Sequence, residues 1–212
     1  MTESARFITL EGGEGAGKST QAKRLASALA ARGIACEQTR EPGGSPGAEE
    51  IRKLIVHGEP DKWDAETETL LLFAARSDHV ARRIRPALAQ GKWVICDRFV
   101  DSTYAYQGCA RSVPVPFIAQ LEALVLHGLM PNLTLILDID PQRGLARTTG
   151  RGSPGYDERF ERFGLGFHTE LRRAFLEIAQ KNPQRCVVVD AERSESEVAE
   201  SIWQTVAQRF GL

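Results

Sequence analysis

Residues 12–19 read Gly12-Gly13-Glu14-Gly15-Ala16-Gly17-Lys18-Ser19, which matches the pattern of a glycine, any four residues, a glycine, a lysine, and a serine or threonine. A short apolar run at residues 7–10 precedes this stretch, and apolar residues at helical spacing follow it from Ala22 to Ala30. A loop that wraps a phosphate group lies between a buried strand and a helix, so both flanks agree with the motif. The stretch therefore predicts a phosphate cradle formed by residues 12–19.

The residue types in the cradle suit nucleotide binding. Glycines leave room for several backbone N–H groups to approach one phosphate, and they accept positive φ. The helix that begins near Gly17 directs the positive end of its dipole at the same anion. Lys18 is expected to reach the β- and γ-phosphates, and the Ser19 hydroxyl is expected to hold Mg²⁺. The predicted nucleotide-binding residues are Gly12, Gly13, Glu14, Gly15, Ala16, Gly17, Lys18, Ser19 and Thr20.

The composition argues against several kinds of partner. The chain has 27 Lys and Arg against 28 Asp and Glu, so its net charge of −1 predicts no general attraction to nucleic acid or membrane. No run approaches the roughly 18 apolar residues that span a bilayer. The four cysteines lie far apart and lack metal spacing, which favours reduced thiols: Cys36, Cys96, Cys109 and Cys186. We expect a single cytoplasmic domain over residues 1–212.

Five apolar runs alternate with helical patterns along the chain. Strands are predicted at about residues 5–11, 34–40, 93–96, 133–139 and 186–189, which favours an α/β fold with a doubly wound, five-stranded parallel sheet flanked by helices. In such sheets ligands collect at the carboxyl ends of the strands. Charged residues stand at those ends: Glu11, Arg40, Glu41, Asp97 and Arg98. We therefore expect the functional site at this edge of the sheet.

Three helical patterns complete the expected fold. Residues 65–85 predict a long helix that Pro86 kinks or interrupts. Residues 158–181 predict a helix with a Phe-rich face. Ser194 and Glu197 predict a capping box at the start of the last helix.

Residues 143–157 are predicted to form a mobile lid, because residues 143–155 are polar, basic, and rich in Gly and Ser. Arg143, Arg147 and Arg151 recur at a spacing of four, which places them on one face of a helix. Arg147 and Arg151 are predicted to be catalytic, because arginines neutralise charge that spreads over a transferred phosphoryl group. We interpret Arg143 as a solvated charge.

A phosphate cradle alone fits a kinase, a nucleotide switch, or a motor or assembly ATPase. The guanine-recognition run expected of a switch does not follow residues 133–139. A kinase for small molecules needs an acceptor pocket and an arginine-bearing lid that excludes water. The charged strand ends and residues 143–157 supply candidates for both, so the sequence favours a kinase.

Four motifs in order closely resemble those of bacterial thymidylate kinases, over nearly the whole chain. They are residues 10–20, Thr39-Arg40-Glu41-Pro42-Gly43-Gly44, Leu72-Phe73-Ala74-Ala75-Arg76, and Asp97 to Gly108. The resemblance implies Mg²⁺-dependent transfer of the ATP γ-phosphoryl group to dTMP, and a homodimer. The alternatives are a kinase for another nucleoside monophosphate or a deoxynucleoside and, with less support, a regulatory ATPase.

The same resemblance implies roles for single residues. Phe73 matches an aromatic residue that stacks on thymine. Arg76 matches an arginine that binds the base edge, and Arg98 matches an arginine that binds the acceptor phosphate. Tyr106 matches a residue at the sugar, Glu14 an acidic cradle position, and Asp97 a carboxylate that places Mg²⁺ together with Ser19. The predicted catalytic residues are Lys18, Glu14, Arg98, Arg147 and Arg151. The predicted substrate-binding residues are Glu41, Phe73, Arg76, Arg98, Ser102, Thr103, Tyr106 and Gln107.

Structural interpretations stay open beside these roles. Phe73 and Tyr106 also fit a hydrophobic core, and Asp97 with Arg98 also fits a structural ion pair. Gly15 stands where some thymidylate kinases carry a basic residue in the cradle, so the chain resembles the subtype whose catalytic arginines lie in the lid. Of the lid arginines, Arg151 is favoured as the one that reaches ATP. The four histidines lack metal spacing and are interpreted as structural: His57, His79, His127 and His168.

Overall fold

A parallel five-stranded sheet lies at the centre of the computed structural model, which describes residues 5–148 and 158–212. The strand order is β2-β3-β1-β4-β5, and every pairing is parallel. The sheet confirms the predicted α/β fold. The strands are β1 (Phe7–Glu11), β2 (Cys36–Arg40), β3 (Trp93–Asp97), β4 (Leu133–Asp138) and β5 (Cys186–Asp190).

Helices cover both faces of the sheet. They are α1 (Lys18–Ala30), α2 (Pro46–Val56), α3 (Ala65–His79), α4 (Arg85–Ala89), α5 (Val100–Thr103), α6 (Val115–Leu126), α7 (Pro141–Thr148), α8 (Glu158–Glu161), α9 (Leu165–Lys181) and α10 (Glu195–Phe210), with π-helical turns at Val80–Ile84 and Tyr104–Ala110. Among the described residues, no helix is both long and apolar enough to cross a bilayer.

Alternating side chains of the strands form two core layers. Ile8 and Leu10 of β1 pack with apolar residues of α1 and α10 on one face. Phe7 of β1 and Val94 of β3 pack with α3 and α6 on the other. Because β1 lies between β3 and β4, its carboxyl end meets theirs, and Leu10 pairs with Asp97. The chain segments that follow β1 and β3 therefore lie side by side.

The long helix that starts at Ala65 does not end at Pro86. It widens into the π turn Val80–Ile84, in which the Arg85 N–H donates to the Val80 carbonyl, and it continues as α4. Pro86 directly follows the π turn, in the first turn of α4, and it removes one N–H donor from the continuous helix. The predicted interruption is therefore replaced by a π turn.

The first part of the predicted lid is helical. Arg143 to Thr148 belong to α7, which Pro141 begins and whose first N–H groups donate to the Asp140 carboxylate. Arg143 and Arg147 thus lie four apart on one helix, as their spacing predicts, while the mobility of the lid stays a prediction and residues 149–157 lie outside the described part. The helix predicted at 158–181 divides into α8 and α9, because Gly164 caps α9 in an extended conformation. The capping box of Ser194 and Glu197 is confirmed.

Candidate active site

The cradle follows β1 and requires glycine at specific points. Gly12, Gly15 and Gly17 have φ of 133°, 69° and 89°. A Cβ on Gly12 would lie 2.4 Å from the Leu137 carbonyl oxygen, and one on Gly15 would lie 1.9 Å from that of Gly144. Helix α7 therefore touches the cradle backbone at Gly144. Sequence reasoning missed this residue, because its contact is made across the fold.

Lys18 begins α1 and turns its side chain back into the cradle. Its side chain is buried, and Nζ donates to the carbonyl oxygens of Gly12 at 3.1 Å and Gly13 at 2.7 Å. Burial and the neighbouring charge of Arg98 lower the pKa of Lys18. The cradle thus holds an ammonium group that has lost most of its water, and such a group interacts strongly with a phosphate.

Ser19 and Asp97 meet where the cradle passes the end of β3. The Ser19 hydroxyl donates to Oδ2 of Asp97. A hydroxyl and a carboxylate are hard oxygen ligands of the kind that Mg²⁺ prefers, usually with several water molecules kept. The pair therefore fits a magnesium ion beside the cradle.

A second cleft opens next to the cradle. Its walls come from the turn after β2, from α2 and α3, from the segment after β3, and from α8. Its lining residues are Glu14, Glu41, Pro42, Ile55, Leu72, Arg76, Arg98, Phe99, Ser102, Thr103, Tyr106, Gln107 and Phe160. We refer to it as the acceptor cleft. Seven of the eight predicted substrate-binding residues line it, and Phe73 is the exception.

Arg98 joins the cradle to the acceptor cleft. Its Nη1 donates to the Gly12 carbonyl oxygen at 3.0 Å, and its Nη2 donates to Glu14 Oε1 at 2.8 Å. The backbone of Arg98 has a φ of 69°, and the Cys96 thiol donates to its carbonyl oxygen at 3.0 Å. A left-handed conformation in a residue other than glycine is costly and is often found at functional sites. In this backbone conformation, the buried Arg98 guanidinium lies between the cradle and the acceptor cleft.

Glu14 carries the charge that balances Arg98. Its Oε1 also accepts a hydrogen bond from the Tyr106 hydroxyl at 2.5 Å, and the Arg98 guanidinium lies 4.9 Å from the Tyr106 ring centroid. Burial alone would raise the pKa of Glu14, but the charges of Arg98 and Lys18 and the bond from Tyr106 lower it to about 2. Glu14 is therefore ionised at neutral pH.

Glu11 is a fully buried carboxyl group beneath this site. Its oxygens accept hydrogen bonds from the Phe99 N–H at 2.7 Å and the Ser102 hydroxyl at 2.5 Å, so it holds two of the cleft-wall residues that follow Arg98. Burial and the nearby charge of Asp101 raise its pKa to about 8. Sequence reasoning placed Glu11 among the charged strand ends but gave it no role, because depth of burial is not visible in a motif.

A buried relay positions Arg76. Thr39 Oγ1 lies 2.7 Å from His79 Nε2, and His79 Nδ1 lies 2.9 Å from Glu41 Oε1. Glu41 Oε2 then accepts from Arg76 Nε at 2.7 Å, and Arg76 Nη2 donates to Thr103 Oγ1 at 3.1 Å. Arg76 Nη1 is buried and has no hydrogen-bond partner among the residues that the structure describes. An unpaired buried donor is costly, so Nη1 is suited to a ligand in the cleft.

Phe73 lies in the hydrophobic core with Phe7, Val80 and Val94, and it is fully buried. This placement contradicts the predicted stacking of Phe73 on a base. Residues four apart share one helix face, so Leu72, one turn before Arg76, takes the cleft position. The cleft position of this motif therefore belongs to Leu72, one residue before Phe73.

The remaining predicted residues lie around these groups. Gln107 Nε2 donates to the buried Glu68 at 2.8 Å, and its side chain lines the acceptor cleft. Arg147 Nη1 donates to the Ala191 carbonyl oxygen at 3.0 Å and borders another cleft, together with Gly15, Ala16, Gly17 and Thr20. Arg143 pairs with Glu192 at the surface. Arg151 lies outside the described residues.

The parallel sheet, the phosphate cradle and a separate acceptor cleft bridged by Arg98 define a phosphate-binding-loop kinase for small molecules. The thymidylate kinase family model matches residues 10–202. The thymidylate kinase of Caulobacter vibrioides is 54% identical over 97% of this chain and 98% of its own length, and that of Magnetococcus marinus is 50% identical over 97% of each. A crystal structure of thymidylate kinase from Ehrlichia chaffeensis matches with a TM-score of 0.77 at 32% identity, over 96% of this chain and 99% of that one. The chain belongs to the thymidylate kinase family.

Proposed function

We propose that this protein transfers the γ-phosphoryl group of ATP to dTMP, which gives dTDP and ADP on the route to dTTP. One observation supports this most directly. Arg98 lines the acceptor cleft and also donates to Gly12 and Glu14 of the cradle, so a donor phosphate and an acceptor phosphate would meet at its guanidinium. Relatives named thymidylate kinase at 50–54% identity supply the nature of the acceptor.

The chemistry requires positioning more than proton removal. An acceptor phosphate has a second pKa near roughly 6, so at neutral pH most of it is already a dianion that can attack. Arg98 would hold that phosphate through two N–H groups, and Lys18 would hold the ATP phosphates as a point charge. Glu14 stays ionised and keeps the guanidinium in place. The γ-phosphoryl group would then pass between two phosphates that are held in line.

Ser19 and Asp97 are the residues that would hold Mg²⁺. When bound, such an ion would offset the negative charge that develops on the phosphate groups during transfer. Arg147 would act at the phosphates from the side of α7, because its cleft adjoins the cradle. Arg151 is proposed to act there as well, from its place in the sequence alone.

The other end of the acceptor cleft suits a pyrimidine. Arg76 Nη1 is a free donor for a carbonyl oxygen at a base edge, and Gln107, Ser102 and Thr103 add polar groups. Tyr106 is fixed by its bond to Glu14 and would border the sugar.

The proposal is tested by ADP production from Mg-ATP with each common nucleoside monophosphate and with thymidine. Wild-type protein is expected to turn over fastest with dTMP and to stop when EDTA removes Mg²⁺. Faster turnover with UMP, with another monophosphate or with thymidine itself would move the assignment to a different kinase. ATP hydrolysis that is indifferent to every acceptor would favour a regulatory ATPase.

We also infer a homodimer of single-domain subunits in the cytoplasm. The free state of all four cysteines agrees with a reducing compartment. Leu70 on α3 and Val115 and Leu124 on α6 are exposed at 48%, 58% and 69%, and α6 packs beside α3. Burial of these side chains against a second copy would remove apolar surface from water.

Sedimentation tests the dimer. Wild-type protein is expected to sediment at twice the chain mass, and Leu124→Arg is expected to shift it to the monomer because a charge would enter the interface. Lys23→Met, an exposed substitution on α1 at the opposite face of the sheet, serves as the control. A wild-type monomer at micromolar concentration would contradict the inference.

A further inference from the structure

Helix α3 gives the acceptor cleft an aliphatic wall. Leu72 lines the cleft one turn before Arg76, whereas the neighbouring Phe73 ring is directed into the core. A flat base gains most from contact with a ring, since every base presents a π-face. The described part of α3 places no aromatic side chain on this wall, so the ring must come from another element.

Among the described residues, three aromatic side chains line the cleft, and two of them have their main contacts away from the base end. Phe99 is fully buried, with its ring packed edge-on against Phe7 at 4.9 Å. The Tyr106 ring lies beside the Arg98 guanidinium, and its hydroxyl binds Glu14, which places it at the phosphate end. The third is Phe160 of α8, whose ring meets the Tyr106 ring edge-on at 5.5 Å and 89°.

Phe160 is held in place by its neighbour Arg159. The Arg159 side chain is fully buried and donates to the carbonyl oxygens of Ile55, Glu59 and Pro60, and to the Glu68 carboxylate. These bonds attach α8 to the chain that follows α2 and to α3.

Glu68 extends the attachment to the polar end of the cleft. It accepts a hydrogen bond from Gln107 at 2.8 Å and forms an ion pair with Arg111 at 2.8 Å. Because Gln107 also lines the cleft, the position of Phe160 is tied to that of a polar residue available to the base. This degree of fixation exceeds what an exposed four-residue helix would have alone.

We propose that Phe160 is the aromatic contact of the base in this protein, with thymine lying between Phe160 on α8 and Leu72 on α3. Arg159 is the positioning residue that fixes Phe160. This assignment rests on the proposed function, because it takes dTMP as the occupant of the acceptor cleft. It also makes α8, rather than α3, the element that supplies the aromatic contact of the base.

Steady-state kinetics with dTMP and ATP test the proposal. Phe160→Ala is expected to raise KM for dTMP about 10- to 100-fold, in line with the loss of one base-stacking ring, and to leave KM for ATP unchanged. Phe163→Leu is the matched control, because Phe163 lies outside the cleft, where it stacks on Phe167 at 4.4 Å and meets the Phe160 ring at 6.2 Å, and leucine keeps apolar bulk beside Phe160. That control is expected to keep the wild-type KM for dTMP.

A rescue separates base contact from structural support. Leu72→Phe introduces a ring on the opposite wall, so in the Phe160→Ala background it is expected to recover most of the lost dTMP affinity. Circular dichroism follows folding, and Phe160→Leu replaces Phe160→Ala if the latter does not fold. An unchanged KM for dTMP in the folded variant, or equal rises for dTMP and ATP, would overturn the proposal. Wild-type protein without dTMP-dependent turnover would instead overturn the proposed function.

Discussion

Replacing Arg98 with alanine is expected to reduce kcat/KM for dTMP about 1,000-fold or more, while ATP binding survives. The guanidinium is the group that lines the acceptor cleft and also contacts the cradle, through Gly12 and Glu14. Its loss removes the two parallel N–H donors that would hold the acceptor phosphate. The Glu14 carboxylate would then stand unbalanced near two phosphates and add repulsion.

The measurement combines steady-state kinetics with ATP titration by calorimetry. Arg98→Lys keeps the charge and the Cβ at positive φ but loses the paired donors, so it should recover only part of the activity. Arg143→Ala removes an exposed arginine that pairs with Glu192 outside both clefts, and it should behave as wild type. Equal loss of ATP binding and dTMP turnover in Arg98→Ala would show that the acceptor cleft is misplaced.

The sequence predicted the parts of the site that local motifs determine. A cradle between a strand and a helix has few alternative conformations, and a parallel sheet brings the residues after β1 and β3 to one edge. The contact of Ser19 with Asp97 and the placement of Arg98 follow from those two facts. Both concern backbone topology, which apolar periodicity reveals.

Features that depend on side-chain phase or on distant contacts were not predictable in this way. Whether Leu72 or Phe73 faces the cleft is decided by about 100° of helix rotation, which a short motif does not determine. The approach of Gly144 to Gly15 and the attachment of Arg159 to Glu68 join segments more than 90 residues apart in the chain. Composition and spacing carry no record of such contacts.

Replacing Lys18 with methionine is expected to lower kcat about 100- to 1,000-fold and to leave the free energy of unfolding within about 1 kcal/mol of wild type. The ammonium is buried, and that burial lowers its pKa, so the folded protein gains little from its charge. Methionine fills similar space, Gly12 keeps its bond from Arg98 at 3.0 Å, and the partly exposed Gly13 carbonyl can bind water.

Urea unfolding and single-turnover kinetics provide the two measurements, with the exposed Lys23→Met as the control on the same helix. A variant that loses several kcal/mol of stability, or retains its rate, would contradict this division between catalysis and folding. A loss of kcat without a loss of stability would mean that Lys18 acts on the transferred phosphate, because its hydrogen bonds within the protein can be replaced.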